Sequence, residues 1–429
     1  MATRVVGRAG ATVQPRAAIV ASGSELVRGD RNDRNGPYLA ASLLRLGIDP
    51  VRITVVGDDP AELEAALAYG LQEDLLVVSG GLGPTHDDRT IELLARAAGR
   101  GLAVDEDLAA QIEELSRRVA ARLKRPYTDF ADGVRKQASL PDGAEWVGLV
   151  GTAPAVVLDL GSSLAVALPG PPRELQQLWP RVLETAPLRG LRARAHAPRR
   201  RVLRLFGVSE SAVARALADA GGDGAGVDVT ICARDFEIHV DLFVQPGAEA
   251  RAEAIEASLS EANAQYLFSR DERSTAELVL DLVRARGLTL ATAESCTGGL
   301  VAARLTDVPG SSDVFCGAIV AYSDKVKAAQ LGVPEEVLRE HGAVSAETAA
   351  AMARGARERL GADLAVAVTG IAGPGGGSQA KPVGLVFLHA SGPAAELGRR
   401  LDFPGDRETI RQRSAVAALH LVRRLVTEP

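Results

Sequence analysis

Two regions of this chain alternate short apolar runs with helix-length segments, and no other feature limits its fold so strongly. In the first region Ala17–Ala21, Val51–Val56 and Leu75–Ser79 have the length and apolar character of buried strands. Between and after them, Tyr38–Leu46, a segment opening at Pro60, and Ile91–Ala98 read as helices. Pro60 suits a first helical turn, where a missing N–H leaves no partner unsatisfied. Such alternation predicts a mainly parallel sheet covered by helices on both faces. Ala155–Asp159 and Leu164–Leu168 flank Gly161-Ser162-Ser163 and predict a hairpin added to that sheet. The second region starts at Ser274. It predicts helices over Ala276–Arg286 and Ala346–Leu360 and strands over Leu288–Thr292, Ala318–Tyr322, Asp363–Thr369 and Val383–His389. A closing helix places Ile410, Val416, Leu419, Val422 and Val426 near the helical period.

A chain of 429 residues exceeds what one core serves, since cores stop growing at roughly 250–300 residues. Between Pro187 and Ser269 the texture changes to an Arg-rich stretch, a helix from Ser209, two strands (Val227–Ala233 and Phe236–Val244) and a helix after Pro246. The expected fold class is therefore two three-layer α/β domains joined by a small α+β middle domain. The expected boundaries are 16–180, 187–269 and 272–428. Gly221-Gly222-Asp223-Gly224 has the form of the loop of an RNA-binding KH domain, but that loop joins two helices and this one leads into a strand. With a formal net charge of −6, the chain lacks the cationic excess that binds phosphate backbones, and no nucleic-acid partner is expected. The three cysteines are odd in number and lack paired spacing, which fits a reducing compartment. Arg4, Arg8 and Arg16 interrupt the start, and no run of eighteen apolar residues occurs, so a cytoplasmic protein with no membrane partner is expected.

Three strands of the second region end in polar or glycine-rich loops, where open α/β sheets place ligands. The first loop holds Ser295, Cys296, Thr297, Gly298 and Gly299 before a helix whose N-terminus favours an anion. The second holds Tyr322, Ser323 and Lys327; Lys327 reaches the other loops only if a helix starts near Ser323, a good N-cap. The third runs from Thr369 and Gly370 through Gly373 and Gly375 to Ser378, and so many glycines suit close backbone approach to a phosphate or oxyanion. None of the six histidines completes a Ser-His-Asp arrangement, and no spacing suggests a metal. Hydrolysis at Ser295 therefore needs Lys327 or Tyr322 as its base, with backbone amides near Gly298 or Gly370 as oxyanion donors. Cys296 is a rival nucleophile.

The segments ATAESCTGG (Ala291–Gly299), AARLTDVPGSS (Ala302–Ser312), HGAVS (His341–Ser345), AVAVTGIAGPGGG (Ala365–Gly377) and KPVG (Lys381–Gly384) resemble the C-terminal domain of the CinA family. That resemblance spans about 150 residues and implies an amidohydrolase acting on nicotinamide mononucleotide without a cofactor, in a homodimer. It implies Ser295 as nucleophile, Tyr322 and Lys327 in proton transfer, Thr369 on the substrate, and Arg407 or Arg411 on the phosphate.

In the first region the loop from Ser79 to Thr90 carries Gly80, Gly81, Gly83, Asp87 and Asp88. Its glycines expose amides beside a helix N-terminus, and its carboxylates suit a hard divalent cation; alternatively Asp88 caps the helix. With Gly23-Ser24-Glu25-Leu26, Asn35 and Leu168–Glu174, it resembles the molybdopterin-binding fold at the N-terminus of CinA proteins. That resemblance implies a nucleotide or pterin ligand. It leaves two readings open: an ADP-ribose pyrophosphatase using a divalent metal at Asp88, or a binding module without catalysis in a competence or DNA-damage accessory factor. Ser24 replaces the usual Asp or Thr, which counts against the pyrophosphatase. Phe206–Ser211 resembles the family's KH-like domain.

Overall fold

The computed structural model describes residues 14–427, so the charged start at Arg4 and Arg8 lies outside the described residues. The chain parts into two compact units: residues up to 199 with 245–247, and residues 200–244 with 248 onward.

The first unit is built on a six-stranded sheet in the order Asp49–Val56, Arg16–Ser22, Leu75–Ser79, Leu164–Leu168, Pro154–Asp159, Ala144–Leu149. The first four are parallel neighbours and Pro154–Asp159 runs antiparallel to both of its neighbours, so the predicted hairpin is present. The Ala144–Leu149 strand was not expected; its polar and half-buried positions hide it from an apolar-run reading. Side chains alternate between faces, as strand geometry requires. Ala18, Val20, Leu76 and Val78 join one core with Leu63, Leu67 and Ile112, while Ala17, Ile19, Leu75 and Val77 join another with Leu43 and Trp179. Trp179 fits there because its indole N–H donates to Ser42 Oγ at 2.8 Å, leaving no buried donor unpaired.

The second unit holds a five-stranded sheet in the order Phe315–Val320, Leu290–Glu294, Leu364–Gly370, Leu385–Ser391, Glu396–Asp402. Its first three strands are parallel neighbours, and the last two are antiparallel additions. Valines and leucines fill one face, including Val366, Val368, Val301 and Leu419. The other face is lined by Ala291, Ala293, Ala365 and Ala367, small enough to draw the Ala346–Leu360 helix close. Gly355 on that helix lies where a Cβ would stand 1.8 Å from the Leu331 carbonyl oxygen, so the Asp324–Leu331 helix is pressed against it. This contact fixes the helix that carries Lys327. A four-stranded sheet (Val227–Arg234, Glu237–Val244, Arg199–Leu205, Leu267–Ser269) falls in the same compact unit, where the sequence suggested a separate middle domain. Glu237 ties it to the neighbouring helices by accepting from Thr275 and by bonding His420 Nε2 at 2.8 Å.

Several boundaries shift by two residues or more. The strand expected over Leu288–Thr292 spans Leu290–Glu294, which turns Glu294 from a loop residue into the strand's last. The strand expected over Ala318–Tyr322 is Phe315–Val320, which leaves Tyr322 outside it. Glu396–Asp402 is an exposed edge strand whose Arg399 and Arg400 concealed it, charge being the usual protection of a sheet edge. Asp88 does not cap the helix that follows it. That helix starts at Thr90 with Arg89 as N-cap, and the Asp88 carboxylate instead accepts from the Thr85 amide at 3.0 Å. Among the described residues no helix is long and apolar enough to cross a membrane.

Candidate active site

The Leu290–Glu294 strand is fully buried and ends against Ser295, whose amide still donates to Val368 O at 2.9 Å. Gly298 (φ 62°) and Gly299 (φ 97°) then take the left-handed conformation that swings the chain into the Leu300–Thr306 helix. The amides at this helix start bind no outside anion. Glu294 folds its carboxylate onto them, accepting from Gly299 N at 2.9 Å, Val301 N at 3.1 Å and Ala302 N at 2.9 Å, with the Thr292 hydroxyl at 3.3 Å. The anion place expected for a ligand is thus filled by the residue before Ser295. Glu294→Ala is expected to leave these amides without an acceptor and to lower unfolding free energy by about 3 kcal/mol or more, measured by urea titration. Glu294→Gln, which keeps one acceptor oxygen, should lose less.

Ser323 caps the Asp324–Leu331 helix by accepting from Val326 N at 3.3 Å, which aims Lys327 inward. Lys327 is 1% exposed. Its Nζ lies 3.1 Å from Ser295 Oγ, 3.0 Å from Ala321 O and 3.3 Å from Tyr322 O. Burial pushes its pKa below the ordinary lysine value, with Asp324 pulling weakly the other way. Of its three oxygen neighbours the two carbonyls can only accept, while the serine hydroxyl can accept from the amine or donate to it once the amine is neutral. Cys296 next door is buried, and burial pushes its thiol up to about 12, so it stays protonated at neutral pH.

In the first unit a cavity of about 850 Å³ is lined by Glu25, Asn35, Gly80, Gly81, Gly83, Asp87 and Asp88, so the structure gathers all seven sequence candidates into one hollow. Asn35 staples its floor, donating to Ser79 Oγ at 2.8 Å and Gly170 O at 2.7 Å. Ser22 and Asn35 also line it, and Ser22 Oγ and Asn35 Oδ1 are buried without hydrogen-bond partners among the described residues. Burial raises the pKa of Glu174, another wall residue. Asp87 and Asp88 both accept from the Thr85 hydroxyl. Among the described residues no three His, Cys, Asp or Glu side chains converge as a metal-holding group.

Residues 272–426 match the family model described as CinA C-terminal domain, and residues 18–188 match a probable molybdopterin binding domain. A CinA-like protein of Mycobacterium sp. (strain MCS) is 45% identical over 425 residues, covering 96% of this chain and 99% of that one. The chain belongs to the CinA family. A CinA-like protein of Mycobacterium tuberculosis (strain ATCC 25618 / H37Rv) is 42% identical over 425 residues, covering 97% of this chain and 98% of its own. Among solved structures, the competence/damage inducible protein CihA from Agrobacterium tumefaciens is 44% identical over 35% of this chain and 93% of its own, with a TM-score of 0.35.

Within the CinA domain the remaining candidates divide by what they touch. Tyr322 is 61% exposed and its hydroxyl accepts from Arg407 at 2.8 Å, which places the phenol at the surface while Lys327 holds the serine. Arg407 also donates to Gly373 O at 2.8 Å and is itself exposed. Arg411 instead donates to the carbonyls of Cys296 (3.1 Å) and Thr297 (2.8 Å), bracing the Ser295 loop. Thr369 is fully buried and donates to Ala343 O at 2.7 Å. Lys381 donates to His341 O at 2.7 Å and Val344 O at 2.8 Å, so HGAVS is held between the glycine loop and the sheet. Gly370 sits where a Cβ would press on Leu385 O at 2.8 Å, Gly373 is buried against Val383, and Gly375 is open to solvent. The Gly298 amide is bonded to Ser295 O at 3.1 Å and is not a free oxyanion donor. Thr297 is fully buried, and its Oγ1 has no partner. Sequence reasoning missed Glu294 and Lys381. A carboxylate just before the candidate nucleophile was the available signal for the first, and the KPVG motif for the second.

Proposed function

We propose that the CinA domain hydrolyses the amide of nicotinamide mononucleotide, giving nicotinate mononucleotide and ammonia, through a Ser295–Lys327 pair. The observation that carries this reading is the 3.1 Å contact between Lys327 Nζ and Ser295 Oγ, made by a buried lysine whose other neighbours are two carbonyls. As Oγ attacks the amide carbon, its proton passes to Lys327 Nζ. When the C–N bond breaks, that proton goes to the departing nitrogen, which leaves as ammonia. Water then attacks the serine ester, gives a proton to Lys327, and the carboxylate leaves as Ser295 recovers its proton. The amide of Cys296, which makes no backbone hydrogen bond among the described residues, supplies an oxyanion donor. Arg407 takes the phosphate because its guanidinium is exposed and keeps spare donors, whereas Arg411 positions the loop. Thr369 and Tyr322 act by holding the HGAVS segment and Arg407.

For the N-terminal unit the reading is a site for a pterin or a nucleotide, supported by the match to a probable molybdopterin binding domain and by the unpartnered Ser22 and Asn35 atoms at the cavity. Purified full-length protein should release ammonia from nicotinamide mononucleotide, and its absence would remove the amidase reading. In parallel, calorimetry with ADP-ribose is expected to show saturable binding, and no heat at millimolar ligand would remove the nucleotide reading. Cleavage of ADP-ribose with added Mg²⁺ or Mn²⁺ would extend that unit from binding to catalysis.

A further inference from the structure

The second unit carries a cavity of about 480 Å³ that neither proposed activity uses. None of the residues assigned to the amidase lines it. Its walls come from the Val227–Val244 hairpin, through Phe236 and Ile238, and from the CinA domain, through Leu388 and Leu401. Arg399 and Arg413 contribute positive charge to its lining, and no carboxylate is among the described lining residues. His420 also lines it, with burial lowering its pKa and its Nε2 bonded to Glu237 at 2.8 Å. The half-buried Arg413 places its guanidinium over the Phe236 ring at 5.0 Å. Arginines in an otherwise apolar lining suit an anion, which they hold through charge-assisted hydrogen bonds. The volume falls in the roughly 300–1,000 Å³ range of small-molecule sites.

We propose that this cavity binds a small amphipathic carboxylate, with its apolar body between the hairpin and the sheet and its carboxylate on Arg413 and Arg399. The inference is independent of the amidase reading. Its test is calorimetric titration of the full-length chain with decanoate, hexanoate and decanol. Decanoate should bind saturably at one site per chain. Hexanoate should bind at least tenfold more weakly, because each buried methylene contributes about fourfold, and decanol, lacking the charge, at least about tenfold more weakly. Arg413→Met should weaken decanoate by about tenfold or more while leaving decanol unchanged, and Leu401→Trp, which fills the cavity, should abolish both. Folding of each variant is checked by circular dichroism; if Arg413→Met does not fold, Arg399→Met on the exposed edge strand makes the same charge test. No saturable decanoate heat, equal affinity for decanol and decanoate, or decanoate binding undiminished by the arginine substitutions would overturn the proposal.

Discussion

Lys327→Met is expected to lower kcat for ammonia release by at least about 10³-fold, because it removes the amine proposed to take the Ser295 proton while keeping an apolar side chain of similar length. The pH dependence gives this substitution its signature. Only the neutral amine can take the serine proton, so wild-type kcat/KM should rise with pH as Lys327 deprotonates. Burial lowers its folded-state pKa, so the rise should be centred below the ordinary lysine value of about 10.4. Stability follows the same sign. Between the folded pKa and the unfolded one, the unfolded chain holds a proton that the folded chain has given up, so stability rises with pH across that window. The contribution is complete above the unfolded pKa and is lost as pH falls through the folded one. Lys327→Met should flatten both curves, read from pH–rate profiles and from urea unfolding across the same pH range. A variant that keeps the wild-type pH limb would assign the base elsewhere.

Ser295→Ala is expected to cost at least about 10³-fold in kcat with little change in substrate affinity, since it deletes the bond-forming atom and leaves the arginines in place. The contrast with its neighbour is as informative as the loss itself. Cys296 would be the stronger nucleophile as a thiolate, but burial pushes its pKa up to about 12, so almost none is present at neutral pH. Cys296→Ala should therefore retain most of the turnover, with a modest loss of stability because the side chain belongs to the valine- and leucine-rich core.

The sheet of each unit was legible because parallel strands buried on both faces leave unbroken apolar runs; Leu75–Ser79 and Leu164–Leu168 keep their expected limits. The approach of Lys327 to Ser295 followed from a local signal, the N-cap at Ser323, joined to the rule that ligand sites lie beyond the ends of parallel strands. Glu294 was not legible. Whether a carboxylate before a helix reaches solvent or folds onto the helix amides depends on where the strand ends, and boundaries are the least certain part of a sequence reading. The same two-residue uncertainty hid the difference between Tyr322 at the surface and Lys327 inside. Arg407 and Arg411, one helical turn apart, looked equivalent in sequence; only tertiary contacts separate a guanidinium spent on the Cys296 and Thr297 carbonyls from one left exposed. The edge strand Glu396–Asp402 and the cavity beside it were invisible for a related reason, since charged edge strands lack periodic burial.

Ser295, activated by Lys327, is the proposed nucleophile of an amide hydrolase. Ammonia release under saturating nicotinamide mononucleotide, compared among wild type, Ser295→Ala and Cys296→Ala, tests it most directly. Expected are turnover in wild type, turnover within about tenfold of wild type in Cys296→Ala, and a loss of at least about 10³-fold in Ser295→Ala with substrate still bound. An active Ser295→Ala enzyme beside an inactive Cys296→Ala enzyme would contradict it and make the domain a thiol hydrolase.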